Sequence, residues 1–392
     1  MEEFSFGIGL KSNKESNDFL RCLWSRISQR FGKLAWQYSP SRFGTSIYIG
    51  QACISDDVLL SVRLNYRQRG CLSSITFEPH GYKDVVSLKN QLKQCIEEAF
   101  QYEQYLCKSF LRTQLDKNIS FIKKEGKYFC VEGNNIVIRV QGFDREDCSS
   151  IFKIQFQQVC NLLTYDTLRY ITSSGTLTEE IRSNHNFRAS LVDGNTRKKT
   201  GAFEKNDMFQ NLVVSDSITE CIDAYLERSY LYENHFSNFD KSVQLFAQGV
   251  RNEELSYIVV GLPEPYAEQA IVNYMSALEV ITLNDKEPEK CECCGQMKYS
   301  IARRVIDLMK ETIPGGETFA KRFYKDRSKY VHTGTLLSSN NYINRSIPLM
   351  SINSMSGMIG QIPMIDFNLK EAVKMCIEKH ENGNVPLQSK GR

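Results

Sequence analysis

The chain has 392 residues, of which 41% are hydrophobic and 24% charged, and a formal net charge of +3. That composition suits two or three globular domains and excludes a disordered chain, a collagen-like repeat and a small disulfide-stapled scaffold. It also excludes an overall polycation, so any nucleic-acid contact must come from a local patch.

Met1-Glu2-Glu3-Phe4-Ser5 has neither a basic n-region nor an apolar h-region and does not read as a secretory signal. No run approaches the roughly 18 consecutive apolar residues of a membrane span. The 13 cysteines are scattered, and several lie inside apolar patterns (Cys95, Cys107, Cys160, Cys221, Cys376). They read as reduced core thiols of a cytoplasmic protein.

In the first half, Val58, Leu60, Val62, Leu64 and Tyr66 alternate with mostly polar neighbours, which predicts a strand. Gln68-Arg69-Gly70 then turns the chain, and Ile75 and Phe77 suggest a partner strand. Leu88, Leu92, Ile96, Ala99 and Tyr102 predict a helix over 86–106. Ile136–Val140 reads as a second strand, followed by a helix through Phe152, Phe156, Val159 and Leu163. Two passages of strand then helix hint at a duplicated unit. His80 and His185 read as surface histidines in loops, and no catalytic constellation stands in this half.

Residues 183–210 are polar and turn-rich, which marks the best domain boundary. Arg197-Lys198-Lys199 within it is either a solvated loop or an RNA contact. The expected organisation is a mixed α+β domain over 1–205, a helical domain over 206–381 and a frayed tail over 382–392. The second domain should carry helices near 216–232, 239–252, 264–281, 299–312, 317–331 and 366–381. Ile271, Tyr274, Leu278 and Ile281 give the third a stripe broad enough for a buried central helix. Helices joined by short breakers suggest an antiparallel bundle.

One motif carries chemistry. Tyr324-Lys325-Asp326-Arg327-Ser328-Lys329-Tyr330-Val331-His332 sets an Arg and a His in a basic, aromatic strip. Met297–His332 holds nine Lys/Arg against four Asp/Glu, with Tyr299, Phe319, Phe323, Tyr324 and Tyr330 among them. Such a strip suits a polyanion with stackable bases. Arg303, Arg304, Lys321, Arg322 and Lys325 are its candidate RNA contacts. Arg327 continues the Phe319–Phe323 line, at the edge of the packed face. On an unbroken helix His332 diverges from Arg327 by about 140 degrees. Gly334 offers a stop, so a helix ending near Val331 could swing His332 back.

Arg plus His without a carboxylate suits transesterification at a phosphodiester, where RNA supplies its own 2′-OH nucleophile. The near-neutral pKa of imidazole lets His332 move the proton, and Arg327 can neutralise a developing phosphorane oxyanion. One His cannot easily serve both sides of one phosphate, so a homodimer with a two-fold site is expected. The bland alternative is a helix-end His stacked on Tyr330, with Arg327 pairing Asp326.

These residues, placed after Ser276-Ala277-Leu278-Glu279-Val280-Ile281 and Tyr299-Ser300-Ile301-Ala302-Arg303-Arg304-Val305, resemble the HEPN superfamily, and within it the Apea-like branch of prokaryotic defence proteins. The resemblance covers about 240–335 and says nothing about 1–205. It implies a dimerising helical bundle and a metal-independent endoribonuclease of toxin or abortive-infection type, with no catalytic cofactor. The family's Arg and His fall on Arg327 and His332. Ser328 stands where the family often carries Asn, Asp or His, with Lys329 and Tyr330 beside it. Glu279 falls on the acidic position of the "Ala-Leu-Glu" helix, where it either orients Arg327 or satisfies another buried Arg. The first half would then be a sensor or a platform for a regulatory partner. The alternative is a HEPN module that binds RNA or nucleotides without cutting.

Cys291-x2-Cys294-Gly295 has zinc-knuckle spacing, with Cys293 between. Zinc needs four ligands, and Cys376 with His380, one turn apart, could supply a second pair. The other reading is an exposed loop of reduced thiols.

Overall fold

A computed structural model of the chain describes residues 3–56, 58–67, 70–81, 84–116, 118–173, 179–181, 211–229, 236–258, 266–283, 301–334, 349–350, 358–359 and 369–384. It is an α+β structure, with sheets in the first half and mainly helices in the second.

The first sheet contains β1 (Phe4–Gly7), β2 (Ala35–Phe43), β3 (Ser46–Ser55), β4 (Val58–Tyr66) and β5 (Leu72–His80), in the antiparallel order β1-β5-β4-β3-β2. The alternation along Val58–Tyr66 does form a strand, and it buries Val58, Leu60 and Val62. Helices α1 (Asn13–Phe31) and α2 (Val85–Ala99) share a core with this sheet. Phe19, Leu23 and Ile27 of α1 and Leu88, Leu92 and Cys95 of α2 join Leu60, Val62, Ile75 and Phe77 there. Burial of one Leu, Ile or Phe side chain contributes about 1.5–3 kcal/mol, so this apolar stripe, more than helix propensity, holds α1 in place.

The helix expected across 86–106 ends at Ala99. The chain leaves it at Gln101 (φ −100°, ψ 30°), and the ring of Phe100 packs on Phe19 at 5.0 Å. A separate turn, α3, covers Tyr102–Tyr105. His80 is no loop residue: it ends β5, and its Nε2 lies 2.9 Å from Ser61 Oγ on the neighbouring strand. His185 lies outside the described residues.

The second sheet contains β6 (Cys107–Gln114), β7 (Phe121–Glu125), β8 (Phe129–Gly133), β9 (Asn135–Gly142) and β10 (Glu179–Ile181), in the antiparallel order β10-β6-β9-β8-β7. Helix α4 (Arg145–Thr167) follows β9, starting from the Asp144 side chain, which caps Asp147 N–H. Each sheet is thus followed by a helix, as the two strand-then-helix passages suggested. The orders differ, however: β5-β4-β3-β2 is a simple meander, whereas β6 returns to lie beside β9.

Six further helices complete the described chain: α5 (Asp216–Ser229), α6 (Asn238–Ile258), α7 (Tyr266–Ile281), α8 (Ile301–Thr312), α9 (Gly316–Thr333) and α10 (Leu369–Asn384). A two-residue ladder joins β11 (Leu349–Met350) to β12 (Met358–Ile359). Helices α6 and α7 run antiparallel: Asn238 Nδ2 donates to Leu283 O at one end, and Ser242 Oγ donates to Ala277 O farther in. The stripe of Ile271, Tyr274, Leu278 and Ile281 on α7 is buried, as a central helix requires.

The expected boundary at 205 lies outside the described residues. One buried core nevertheless joins side chains from both sides of it, from Leu111 and Ile138 of the second sheet through Phe246 and Tyr274 to Ile377 of α10. Polar ties reinforce that core. Asp166 of α4 accepts from Ser215 N and Oγ at 2.7 and 2.9 Å, and Lys374 of α10 donates to Asp166 O at 2.8 Å. The first sheet keeps its own core. It is fastened by Arg21 of α1, which donates to both carboxylate oxygens of Asp147 at 2.8 and 2.6 Å.

Candidate functional site

Arg327 and Glu279 meet where α9 crosses α7. Phe319, Phe323 and Arg327 follow one another at four-residue intervals, so the stripe that packs α9 ends in a guanidinium. Phe323 is buried, and its ring lies 5.4 Å from that of Phe319. Arg327 Nη1 donates to Glu279 Oε1 at 2.7 Å, and Nη2 donates to Oε2 at 3.1 Å. Tyr324 hydroxyl donates to the same Oε1 at 3.0 Å. The fork geometry fixes the guanidinium in one orientation, which a single-point contact would not do. Of the arginines open to Glu279, the carboxylate pairs with Arg327.

Burial pushes the Tyr324 phenol well above its ordinary value, and the Glu279 carboxylate adds to the shift. Arg327 and then Arg304 of α8 act in the opposite direction, so both guanidiniums stand near this phenol. Positive charge from two guanidiniums therefore acts on the phenol that shares the Glu279 carboxylate. The Nε atoms of Arg304 and Arg327 are both buried with no hydrogen-bond partner among the described residues.

His332 lies elsewhere. The helix does not end near Val331; α9 continues through His332 to Thr333, and Gly334 closes it in the left-handed conformation (φ 64°), its N–H bonded to Tyr330 O at 3.0 Å. No kink swings the imidazole back. Within the chain His332 and Arg327 therefore point about 140 degrees apart. The exposed His332 falls instead on the row of Lys321, Lys325 and Ser328, within about 40 degrees, with Lys329 flanking it. All five are exposed, so α9 presents a cationic outer face ending in an imidazole. Ser328 lies on this outer face, away from Glu279.

The remaining RNA candidates divide. Arg303 is exposed and lies 3.8 Å from Asp307 one turn on. Arg322 is half-buried, its guanidinium 5.7 Å from the Phe323 ring centroid. Lys321 also pairs with Glu317 at 2.6 Å.

Cys291, Cys293 and Cys294 lie outside the described residues. Cys376 is fully buried, and burial pushes its thiol up to about 11. That environment favours a neutral core thiol over the thiolate a metal requires. Among the described residues no group of three His, Cys, Asp or Glu side chains is placed to hold a metal ion.

The sequence reading missed a cavity of about 410 Å³ between α6, α7 and α9. Gln248, Arg251 and Asn252 come from α6, and Gln269, Val272 and Asn273 from α7. Tyr330 of α9 completes the lining. The signal available was amide residues recurring at four-residue spacing on two neighbouring helices, a face too polar for a core.

The chain matches no family model, and no curated protein or solved structure is significantly similar to it. Among the described residues, no helix is long and apolar enough to cross a membrane.

Proposed function

We propose that this chain is a HEPN-type, metal-independent endoribonuclease that works as a homodimer, of the kind found among prokaryotic defence and toxin effectors in the cytoplasm. The observation that supports the reading is the grip of Glu279 on Arg327, one of the two arrangements that the resemblance left open for Glu279. Residues 206–381 would form the HEPN-like bundle. The Arg327 guanidinium supplies the charge that a phosphorane oxyanion needs, and the outer row of α9 supplies a track for RNA phosphates.

The step balances without any added group. The 2′-oxygen attacks the adjacent phosphorus and its proton passes to His332. The phosphorus–5′-oxygen bond breaks, and the partner subunit's His332 gives a proton to the leaving oxygen. A 2′,3′-cyclic phosphate and a 5′-hydroxyl result. Because Arg327 and His332 diverge on one helix, the dimer is essential to this scheme: a second α9 must approach so that its imidazole reaches the first helix's Arg327. The first sheet would serve as the regulatory platform. Its edge strand β2 exposes Tyr38 and Phe43, a surface suited to a partner chain.

The test uses wild type, Arg327→Ala and His332→Ala on single-stranded RNA in the presence of EDTA. The expected result is cleavage to cyclic-phosphate ends by wild type only, with all three proteins dimeric and equally folded. Strict metal dependence, or full activity in His332→Ala, would overturn the scheme.

The divergence of Arg327 and His332, with Glu279 offsetting the guanidinium charge, favours a second reading: an RNA- or nucleotide-binding HEPN module that does not cut. Under it, the same variants alter RNA affinity and no cleavage is found in wild type.

A further inference from the structure

The cavity between α6, α7 and α9 is lined by four carboxamides, and none of Gln248, Asn252, Gln269 and Asn273 has a side-chain hydrogen bond among the described residues. The hydroxyl of Tyr330 likewise has none. Gln248 and Arg251 are exposed and the other lining residues half-buried, so the space is open to solvent, and five polar side chains around it keep their hydrogen-bonding capacity free for a ligand. The charge of the lining is equally one-sided. Arg251 is its only charged residue, and it faces no carboxylate there. Arg251 also lies 5.9 Å from the ring centroid of Tyr170. Val272 gives one apolar wall, and Tyr330 an aromatic side chain.

We propose that this cavity is a nucleobase pocket that receives an adenine of the bound RNA, with Arg251 on its phosphate. The chemistry points to this occupant. A carboxamide donates and accepts at once, and so matches the adenine N7 acceptor and N6 donor in a paired contact. Aromatic side chains stack bases, and guanidinium binds phosphate. A sugar would match the amides but not the single unopposed cation, and a peptide carboxylate would leave most of the amides idle. The position on α9 agrees. Tyr330 stands three residues past Arg327 and two before His332, about 3–5 Å along the helix axis from each, which is within the reach of one nucleotide. The inference rests on the RNA reading above for the polymer that presents the base.

The experiment measures calorimetric binding of AMP, GMP, UMP and adenosine to the full-length chain and to Asn273→Leu, Asn273→Asp and Arg251→Gln, with melting temperature as the check on folding. AMP should bind in preference to GMP and UMP. Asn273→Leu should weaken it about tenfold, the order for one paired amide–base contact. Asn273→Asp, close to isosteric, should weaken it too. Arg251→Gln should weaken AMP but leave adenosine unchanged. Equal binding in wild type and both Asn273 variants would overturn the pocket, as would no nucleotide binding or a preference for another base. RNA cleavage, measured in parallel, separates the two ideas. A chain that cuts RNA but ignores AMP loses only the pocket. One that binds AMP through these residues but never cuts keeps the pocket and loses the nuclease.

Discussion

The Arg327 guanidinium holds the Glu279 carboxylate with both terminal nitrogens, at 2.7 and 3.1 Å, and Tyr324 hydroxyl shares one of the carboxylate oxygens. Glu279→Gln removes the charge and leaves a cation with a poorer partner in a half-buried seam. The expected loss is about 1–3 kcal/mol. Urea unfolding of Glu279→Gln, Arg327→Met and the double variant would measure the coupling. Additive single effects would mean that the pair contributes nothing as a pair.

Gly249 of α6 faces the ring of Tyr274, and a Cβ built there lies 2.5 Å from Cε1. Alanine normally favours a helix over glycine by about 1 kcal/mol. Here overpacking wins. Tyr274 is fully buried and its hydroxyl donates to Glu253 at 2.5 Å, so the ring cannot yield without breaking a buried bond. Gly249→Ala should lose about 1–3 kcal/mol net. A higher urea midpoint than wild type would contradict this geometry.

Asp147 ties the two sheets. It accepts from Arg21 twice and from Phe143 N–H at 3.0 Å. Asp147→Asn should cost about 1.5–3 kcal/mol, since charge-assisted bonds are lost from a site largely screened from water. The chain has two tryptophans, Trp24 and Trp36, which meet edge-on at 4.9 Å in the first sheet unit. Their fluorescence reports that unit alone, whereas helical circular dichroism reports mainly the rest. In Asp147→Asn the fluorescence transition should move to lower denaturant than the circular dichroism transition. Coincident shifts would mean that the tie does not separate the units.

Burial pushes the thiols of Cys22 and Cys148 up to about 12 and those of Cys95, Cys130 and Cys376 up to about 11, from an ordinary value near 9.0. The folded state therefore holds these protons more tightly than the unfolded state. The unfolded thiols ionise first as pH rises above about 9, so stability falls there and is unaffected by these groups below it. Mass spectrometry after native labelling at pH 8 should find Cys107, which is exposed, modified well before these five. Early modification of Cys22 would contradict the packing.

The strand at 58–66 and the helix α7 were legible because burial on one face writes its period directly into the sequence. Strand β2 was not. Ala35–Phe43 is almost wholly exposed, so no alternation marks it, and it exists through its ladder to β3. Helix α1 was missed although Ser12-Asn13-Lys14-Glu15 carries the capping signal, and Ser12 Oγ does accept from Glu15 N–H at 3.1 Å. Arg327 and Glu279 were legible as separate motif residues, 48 positions apart. The Arg251 and Asn273 pocket was not, since it arises only when α6 and α7 pack side by side. The turn of His332 away from Arg327 depended on one glycine, and the stop falls two residues later than the motif suggested.

The core that passes from the second sheet into α10 has a consequence for a severed chain. A protease cut near residue 205 breaks the backbone but leaves Leu111, Phe246, Tyr274 and Ile377 in the same apolar interior. The two fragments should elute together from a sizing column and part only in denaturant. Expressed separately, each would carry an open hydrophobic wound, and mixing them would restore the whole. The molecule is thus a ready split protein, its halves complementary by virtue of what they bury together.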